Sequence, residues 1–453
     1  MTKATFYHPP IANIPLLTVP LAYLHLATAL KASPHTLELV DGRLEADPIP
    51  ALLRSLENSD LMLVSAMPGS QIASALQACA AAREAFPELP IFWGGPHPSV
   101  DPESTIASEL VSGVVVGRGE FTIAELLDSR GDAEAASLVP NLLVKRRDGT
   151  ILRTPRVRFS NRPPTPPDFR LLDDIEPYVC QTRRSERMID YISSFGCPHH
   201  CTFCSEPVTS GGNWSCMDAE TLVEAVIELQ ELYGIDGILF QDAKFVTDKV
   251  RLARFCSLLI EREVQINWMA TMCSTDVARF EKEGILDLMH RSGCEQVFIG
   301  AEAASPEILK QYRKTVKADG TFQIARLLWE EYDILPHFSY IIGYPIESLE
   351  QVAATLALHF AICELVGFPT GELGLYNPVA NTPFAAANAH HFHMPETLQE
   401  WSLYSYTAQT LYAKPSREVD RALFQQYVKL RRRFPKIDHR KTYDVWQRQV
   451  EPT

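Results

Sequence analysis

The chain has 453 residues, of which 46% are apolar, and its formal net charge is −14. This length and apolar content suffice for two or three hydrophobic cores, which excludes a disordered or fibrous protein. The acidic balance, without a basic patch, argues against a nucleic-acid partner, and no stretch is apolar for long enough to span a membrane. Because the first residues also lack the pattern of a signal peptide, we expect a cytoplasmic protein.

The N-terminal third alternates short β-branched runs with amphipathic stretches. Buried strands are predicted at residues 36–40, 61–64, 90–93 and 113–116, and a helix at 72–86. Because strands and helices alternate, the pattern predicts an α/β fold that begins with a doubly wound, Rossmann-like domain at residues 1–135.

Small residues follow three of these strands. In open α/β sheets, ligands bind beyond the carboxyl ends of the strands, where small residues let a ligand approach the backbone. These strand ends therefore predict one binding site. Its candidate residues are Ser65, Gly69, Ser70, Gly94, Gly95, His97, Gly117, Gly119 and Glu120.

A connecting region is predicted at residues 136–187. It contains a hairpin that turns at Asp148-Gly149 and a stiff proline-rich stretch at 162–167.

After this region, strands and helices alternate again, with strands predicted at 188–194, 237–241, 265–271, 296–300, 337–342 and 371–376. Six βα units predict a partial (β/α)6 barrel over residues 188–378, with its active site at the carboxyl ends of the strands. Residues 379–453 are predicted to form a short, mainly helical C-terminal region.

Three cysteines follow the first predicted barrel strand. Cys197, Cys201 and Cys204 are spaced as C-x3-C-x2-C within one loop. Three thiolates can bind three irons of a [4Fe–4S] cluster and leave the fourth iron open to another ligand. The alternatives are buried free cysteines or a zinc site completed by His199 or His200, although zinc sites usually have two separated ligand pairs.

This loop, at the start of a six-unit barrel, resembles the signature of the radical S-adenosylmethionine (SAM) superfamily. The resemblance implies that the open iron binds SAM and that the reduced cluster cleaves it to a 5′-deoxyadenosyl radical. It also implies SAM contacts at the loop and at later strand ends. These residues are Phe203, Gln241, Asp242, Glu302, Ile341 and Gly343.

The N-terminal segments 63–65, 92–97 and 116–120 are similar to the cobalamin (B12)-binding domain that precedes the barrel in one radical SAM class. The resemblance implies cobalamin, as methylcobalamin, at the nine strand-end residues. Cobalamin-binding domains of the methionine synthase type carry D-x-H-x-x-G after their first strand, but this chain has neither the Asp nor the Gly. His8 is therefore a candidate lower cobalt ligand, with packing or solvent exposure as the alternative.

The class includes C-methyltransferases and an oxidative cyclase of bacteriochlorophyll synthesis. The resemblance implies methyl transfer to an unactivated carbon of a small molecule, with a flavodoxin- or ferredoxin-type electron donor. The alternatives are a ring-forming, ring-rearranging or redox reaction without methyl transfer, and a non-catalytic cobalamin or iron–sulfur sensor or electron carrier. A methylthiotransferase is disfavoured because the N-terminal domain has only Cys79. Residues 390–393, His-His-Phe-His, are interpreted as a solvated loop.

Overall fold

The computed structural model describes residues 1–11, 17–158, 162–314, 318–367, 370–391 and 394–404. Most of the predicted helical C-terminal region, from residue 405 onward, lies outside the described residues, as do residues 392–393 of the predicted solvated loop. The prediction is wrong for His391, which is buried. Within the described ranges, no helix is both long and apolar enough to cross a membrane.

The N-terminal domain is a seven-stranded sheet with helices on both faces. Its strands are β1 (Lys3–His8), β2 (Thr36–Asp41), β3 (Leu61–Ser65), β4 (Ile91–Gly94), β5 (Gly113–Val115), β6 (Leu142–Lys145) and β7 (Ile151–Arg153). Its helices are α1 (Leu21–Leu30), α2 (Pro48–Leu56), α3 (Ser70–Ala85), α4 (Pro96–Val100), α5 (Pro102–Ala107) and α6 (Ile123–Asp128). The strand order is β2-β1-β3-β4-β5-β6-β7, and β1 to β5 are parallel. This is the predicted doubly wound arrangement.

The predicted hairpin is part of this sheet and not of the connection. β6 pairs antiparallel with β5, with Val114 opposite Leu143, and β7 continues the sheet. Leu142 and Val144 are buried, so the hairpin covers an edge that β5 would otherwise expose. The hairpin was predictable from the sequence, but its pairing with β5 depends on tertiary structure.

The second domain is a six-stranded parallel sheet that forms the predicted partial barrel. Its sheet order is β8-β11-β12-β13-β14-β15, and β9 and β10 form a separate antiparallel hairpin. The strands are β8 (Met188–Tyr191), β9 (Ser194–Gly196), β10 (Trp214–Cys216), β11 (Gly237–Phe240), β12 (Asn267–Met272), β13 (Cys294–Glu302), β14 (Leu335–Ile342) and β15 (Glu372–Leu375). The helices are α7 (Glu206–Ser210), α8 (Ala219–Tyr233), α9 (Lys249–Glu261), α10 (Ser274–Lys282), α11 (Ile285–Arg291), α12 (Pro306–Gln311), α13 (Ala318–Arg326), α14 (Leu349–Val366), α15 (Pro383–Ala387) and α16 (Leu398–Ser402).

Helix α8 shows how local sequence sets these boundaries. The Asp218 side chain accepts a hydrogen bond from the Thr221 N–H at 2.7 Å, which caps the first turn. Gly234 ends the helix with a φ of 63°, a left-handed conformation that suits glycine. Both ends of the helix, at Ala219 and Tyr233, are therefore set by residues next to them in the sequence.

Helix α16 is where the C-terminal region contacts the N-terminal domain. The Trp401 Nε1–H donates to Asp101 Oδ2 at 2.9 Å, and the Gly69 N–H donates to the Trp401 carbonyl at 3.0 Å. The α16 segment thus covers the loops that follow β3 and β4.

Candidate functional site

The three-cysteine loop is held between β9 and α7. A Cβ on Gly196 would lie 2.0 Å from the carbonyl oxygen of Asn213, so the closure of the β9–β10 hairpin requires glycine there. At the other end of the loop, the Glu206 N–H lies 3.4 Å from the Cys204 sulfur and donates to it. The fold therefore brings the three thiols together at the mouth of the barrel, each of them partly buried.

The chemistry of this loop fits an iron–sulfur cluster. Burial raises the pKa of all three thiols, that of Cys204 to about 12, so they release protons when a metal binds. No three His, Cys, Asp or Glu side chains of the described residues surround the position of a single metal ion. Cysteines that bind three different irons of a cubane do not need to converge on one point, whereas zinc ligands do. His199, a candidate fourth ligand in the zinc alternative, has its Nε2 2.9 Å from Lys244 Nζ.

Two lysines lie beside the loop, of which Lys244 is buried and Lys314 is partly buried. Lys244 pairs with Asp276 at 3.0 Å, and Lys314 pairs with Glu302 at 2.9 Å. Burial alone would lower the pKa of Lys314, but Glu302 and Cys201 together raise it above its usual value. Lys314 therefore places a positive charge beside the loop, which favours negative charge on a cluster held there.

One cavity of about 830 Å³ opens between the two domains. The β9–β10 hairpin and the segment after Cys204 line one side, and the strand ends of the N-terminal sheet line the other. Six of the nine predicted cobalamin residues lie there: Ser65, Gly94, Gly95, Gly117, Gly119 and Glu120.

Gly117 leaves open space of the kind that a large ligand needs, and Gly95 lets its strand end pack closely against Ser65. A Cβ on Gly95 would lie 2.4 Å from Ser65 Oγ, and Gly95 has a φ of 89°. Gly117 has a φ of 84°, and no atom lies within 4 Å of where its Cβ would stand. The cavity is therefore lined by bare backbone at the strand ends, which fits the approach of a corrinoid ring.

The other predicted cobalamin residues lie outside the cavity lining. Gly69 and Ser70 lie at the start of α3, where a Cβ on Gly69 would meet the Tyr404 carbonyl at 2.4 Å. His97 is buried edge-on against Trp401, with ring centroids 5.1 Å apart. Gly69 and His97 thus pack against the α16 segment, which lies some 300 residues further along the chain. Cobalamin contacts of all three residues stay a prediction.

His8 is likewise placed away from the cavity lining. Its Nε2 is 3.4 Å from Gln71 Nε2, and burial, followed by the charge of Arg43, lowers its pKa to about 4. The structure therefore assigns His8 to the packing alternative, and cobalt ligation by His8 stays a prediction without structural support.

Five predicted SAM residues lie at or near the carboxyl ends of the barrel strands. Phe203 packs edge-on against Tyr312 at 5.0 Å, in an apolar cluster that Ile341 borders. Gln241 lines the cavity. Glu302 ends β13, where it pairs with Lys314, and Gly343 follows β14. Their contact with SAM stays a prediction.

Asp242 differs from these five because it points into the protein. It is 2% exposed and accepts hydrogen bonds from the Ser193 N–H at 3.1 Å, the Ser193 hydroxyl at 2.9 Å and the Ser194 hydroxyl. These hydrogen bonds anchor the loop between β8 and β9, and contact between Asp242 and SAM stays a prediction.

Sequence reasoning missed Glu347. Its Oε2 accepts hydrogen bonds from the N–H groups of Gly343 and Tyr344 at 2.7 and 3.3 Å, and its Oε1 is buried without a partner in the described structure. Burial raises its pKa to about 7. The available signal was an acid four residues after a strand-end glycine.

Sequence reasoning also missed Arg118, which joins the two domains at the cavity. It donates to Ser215 Oγ of β10 at 2.8 Å, and its guanidinium lies over the Phe195 ring at 4.6 Å. No local signal distinguishes this arginine from others in the chain.

Comparison with family models gives two matches. Residues 191–359 match the radical SAM superfamily, and residues 7–127 match the B12 binding domain. The two matches coincide with the barrel and with the N-terminal sheet domain.

Two relatives show the range of the similarity. An uncharacterized methyltransferase, PH0819, of Pyrococcus horikoshii is 28% identical over 348 residues, which are 74% of this chain and 72% of that protein. The anaerobic magnesium-protoporphyrin IX monomethyl ester cyclase of Rubrivivax gelatinosus is 23% identical over 279 residues, which are 60% of this chain and 49% of that protein.

Among solved structures, the fold is similar to that of the radical S-adenosylmethionine methyltransferase TsrM from Kitasatospora setae with cobalamin and a [4Fe–4S] cluster bound. The TM-score is 0.71 at 19% identity, over 86% of this chain and 78% of that one. A structure of TsrM with tryptophan substrate and a SAM analog bound gives a TM-score of 0.70 at 18% identity, over 87% and 78% of the two chains. The likeness establishes the two-domain fold.

Proposed function

Because this chain belongs to the radical SAM enzymes that carry an N-terminal B12-binding domain, we propose that it transfers a methyl group to an unactivated carbon of a small-molecule substrate. Its cofactors are a [4Fe–4S] cluster, SAM and cobalamin, which when bound supply a 5′-deoxyadenosyl radical and a methyl group. The observation that carries the proposal is the shared cavity, lined both by the strand-end glycines and by the hairpin next to the cysteines.

The chain's own residues position these groups and exclude water. Cys197, Cys201 and Cys204 would hold the cluster, while the open space beside Gly117 would leave room for the corrinoid ring. The cavity walls expose more apolar than polar surface, which limits the number of water molecules that the lining can hold by hydrogen bonds.

The presence of a radical-generating centre favours carbon as the methyl acceptor. A nucleophilic nitrogen, oxygen or sulfur attacks the SAM methyl group directly and needs no hydrogen-atom abstraction. An unactivated carbon must first lose a hydrogen atom, which is the step that the cluster and SAM provide. The name of the Pyrococcus relative and the tryptophan bound to TsrM support methyl transfer to a small molecule.

We further propose a flavodoxin- or ferredoxin-type electron donor and a cytoplasmic location. Reduction of the cluster requires a low-potential one-electron donor. The ten cysteines include no disulfide among the described residues, in keeping with a reducing compartment.

The test is anaerobic reconstitution with iron, sulfide and hydroxocobalamin, followed by a corrinoid assay on the desalted protein. We expect stoichiometric corrinoid and cluster absorbance in the wild type, and product containing the label when SAM with a deuterated methyl group is supplied with a candidate substrate. Cys201→Ala should lose cluster absorbance and 5′-deoxyadenosine formation but retain corrinoid. Cys216→Ala is the matched control, because Cys216 is a partly buried thiol of the same hairpin outside the C-x3-C-x2-C motif.

The similarity to the cyclase supports a second candidate, a cobalamin-dependent ring-forming reaction without methyl transfer. Product mass separates the two functions. Methyl transfer adds one methylene unit and consumes one SAM methyl group per product, whereas cyclisation leaves the deuterated methyl group out of the product.

A further inference from the structure

His25 is a buried side chain of the cavity wall that lacks a hydrogen-bond partner. It lies on α1, is 6% exposed, and its Nε2 makes no hydrogen bond within the described structure. Burial, with a further contribution from Arg118, lowers its pKa to about 3, so the imidazole is neutral and offers one donor and one acceptor. Buried polar groups are nearly always paired in folded proteins, so an unpaired one in a cavity wall points to a ligand.

His25 is next to Leu26 on α1 and packs against Phe195 of the β9–β10 hairpin, and these two neighbours line different parts of the cavity wall. The outer part is bounded by the strand ends and by the β9–β10 hairpin, where the Phe195 ring packs edge-on to His25 at 5.2 Å. The inner part reaches the hydrophobic core between the sheet and helices α1 and α6. The residues that line it are Phe6, Leu26, Leu63, Phe92, Ile123 and Leu126.

A corrinoid has two parts that match this division. Its ring is wide and fringed with amide side chains, which would lose their hydrogen bonds to water among apolar side chains. Its nucleotide tail ends in a flat aromatic base, which suits an apolar space between a helix and a sheet. The ring therefore belongs in the outer part and the base in the inner part.

We propose that His25 binds the nucleotide tail of the corrinoid through a hydrogen bond, and that this contact makes the protein select corrinoids that carry the tail. The proposal rests on corrinoid binding in the cavity, as the proposed function requires. It assigns His25 a role in cofactor specificity and no role as a cobalt ligand.

The test compares two corrinoids on the full-length protein after cluster reconstitution. Cobalamin carries the nucleotide tail and cobinamide lacks it, so the ratio of their dissociation constants isolates the contribution of the tail. We expect the wild type to prefer cobalamin. In His25→Leu the preference should fall about tenfold, as loss of one buried hydrogen bond predicts, while cobinamide affinity stays unchanged.

Two further variants make the result specific. His25→Gln keeps a donor and an acceptor and should retain most of the preference. His35→Leu removes another buried histidine of the same domain, whose ring nitrogens bond to the Thr2 N–H and to Asp128 away from the cavity, and should leave the ratio unchanged.

Three results would overturn the proposal. An unchanged ratio in His25→Leu means that His25 does not contact the tail, and an equal loss for both corrinoids means that it contacts the ring. Nitrogen splitting in the EPR spectrum of the Co(II) cobinamide complex that disappears in His25→Leu identifies His25 as a cobalt ligand instead. If the wild type binds neither cobalamin nor cobinamide, the proposed cobalamin-dependent function fails as well. Failure of the His25 proposal alone is distinguished from this because the wild type then still binds corrinoids.

Discussion

Replacing Asp242 by alanine should destabilise the barrel and should not act through SAM binding. The Asp242 carboxyl group is buried and accepts three hydrogen bonds from Ser193 and Ser194. Burial raises its pKa, and these hydrogen bonds and the positive charge of Arg251 oppose that shift. Hydrogen bonds to a charged group contribute about 1.5 kcal/mol or more each, and burial of the carboxylate offsets part of this gain. We therefore expect a loss of about 3 kcal/mol, or roughly 6 to 12 °C in the unfolding temperature of a domain of this size.

The assay is differential scanning calorimetry of anaerobically purified protein, with Gln241→Ala as the neighbouring control. Gln241 is exposed and donates one hydrogen bond to Asp190 at 2.6 Å, so its loss should lower the unfolding temperature by about 2 °C. The reasoning is refuted if Asp242→Ala unfolds at the wild-type temperature and instead loses affinity for SAM.

Three other predictions concern pH, the corrinoid site and the cluster. Burial raises the pKa of Glu347 from 4.5 to about 7. The stability that the protonated side chain contributes to the folded state is therefore complete below pH 4.5 and is lost as the pH rises through 7. Thermal unfolding should show that Glu347→Gln is about 3 kcal/mol more stable than the wild type at pH 8 and equally stable at pH 4. Gly117→Ala places a methyl group in the cavity and strains a residue of left-handed conformation by about 1 kcal/mol. The desalted variant should therefore retain less cobalamin than the wild type, with only a small change in unfolding temperature. Unchanged cobalamin retention would contradict this prediction. Lys314→Met removes a cation near Cys201 and should make the cluster potential in an EPR redox titration more negative, whereas the exposed Arg313→Met should leave it unchanged.

The arrangement of elements was predictable because it is encoded locally. Alternating β-branched runs and amphipathic stretches gave both sheets, and the structure confirms the six parallel barrel strands. The spacing of Cys197, Cys201 and Cys204 likewise required no knowledge of the fold, since one loop brings the three thiols together. Glycines that follow strands, such as Gly95 and Gly117, likewise predicted a ligand-binding edge of the sheet from local sequence alone.

Which of the strand-end residues line the cavity depends on long-range packing and could not be predicted from local patterns. Gly69 and His97 follow strands as the cavity residues do, but they are covered by a helix some 300 residues away. Trp401 on that helix gives no sign in the sequence of the loops on which it packs.

The sequence by itself determined the two-domain α/β architecture, the cluster loop and the cofactors that the family uses. Only the tertiary structure decided which strand-end side chains face the cavity. Gln241 lines the cavity while Asp242 points into the protein, because neighbouring side chains at a strand end lie on opposite sides of the chain. The unpaired imidazole of His25 became visible only when α1, the sheet and the β9–β10 hairpin were brought together around one cavity.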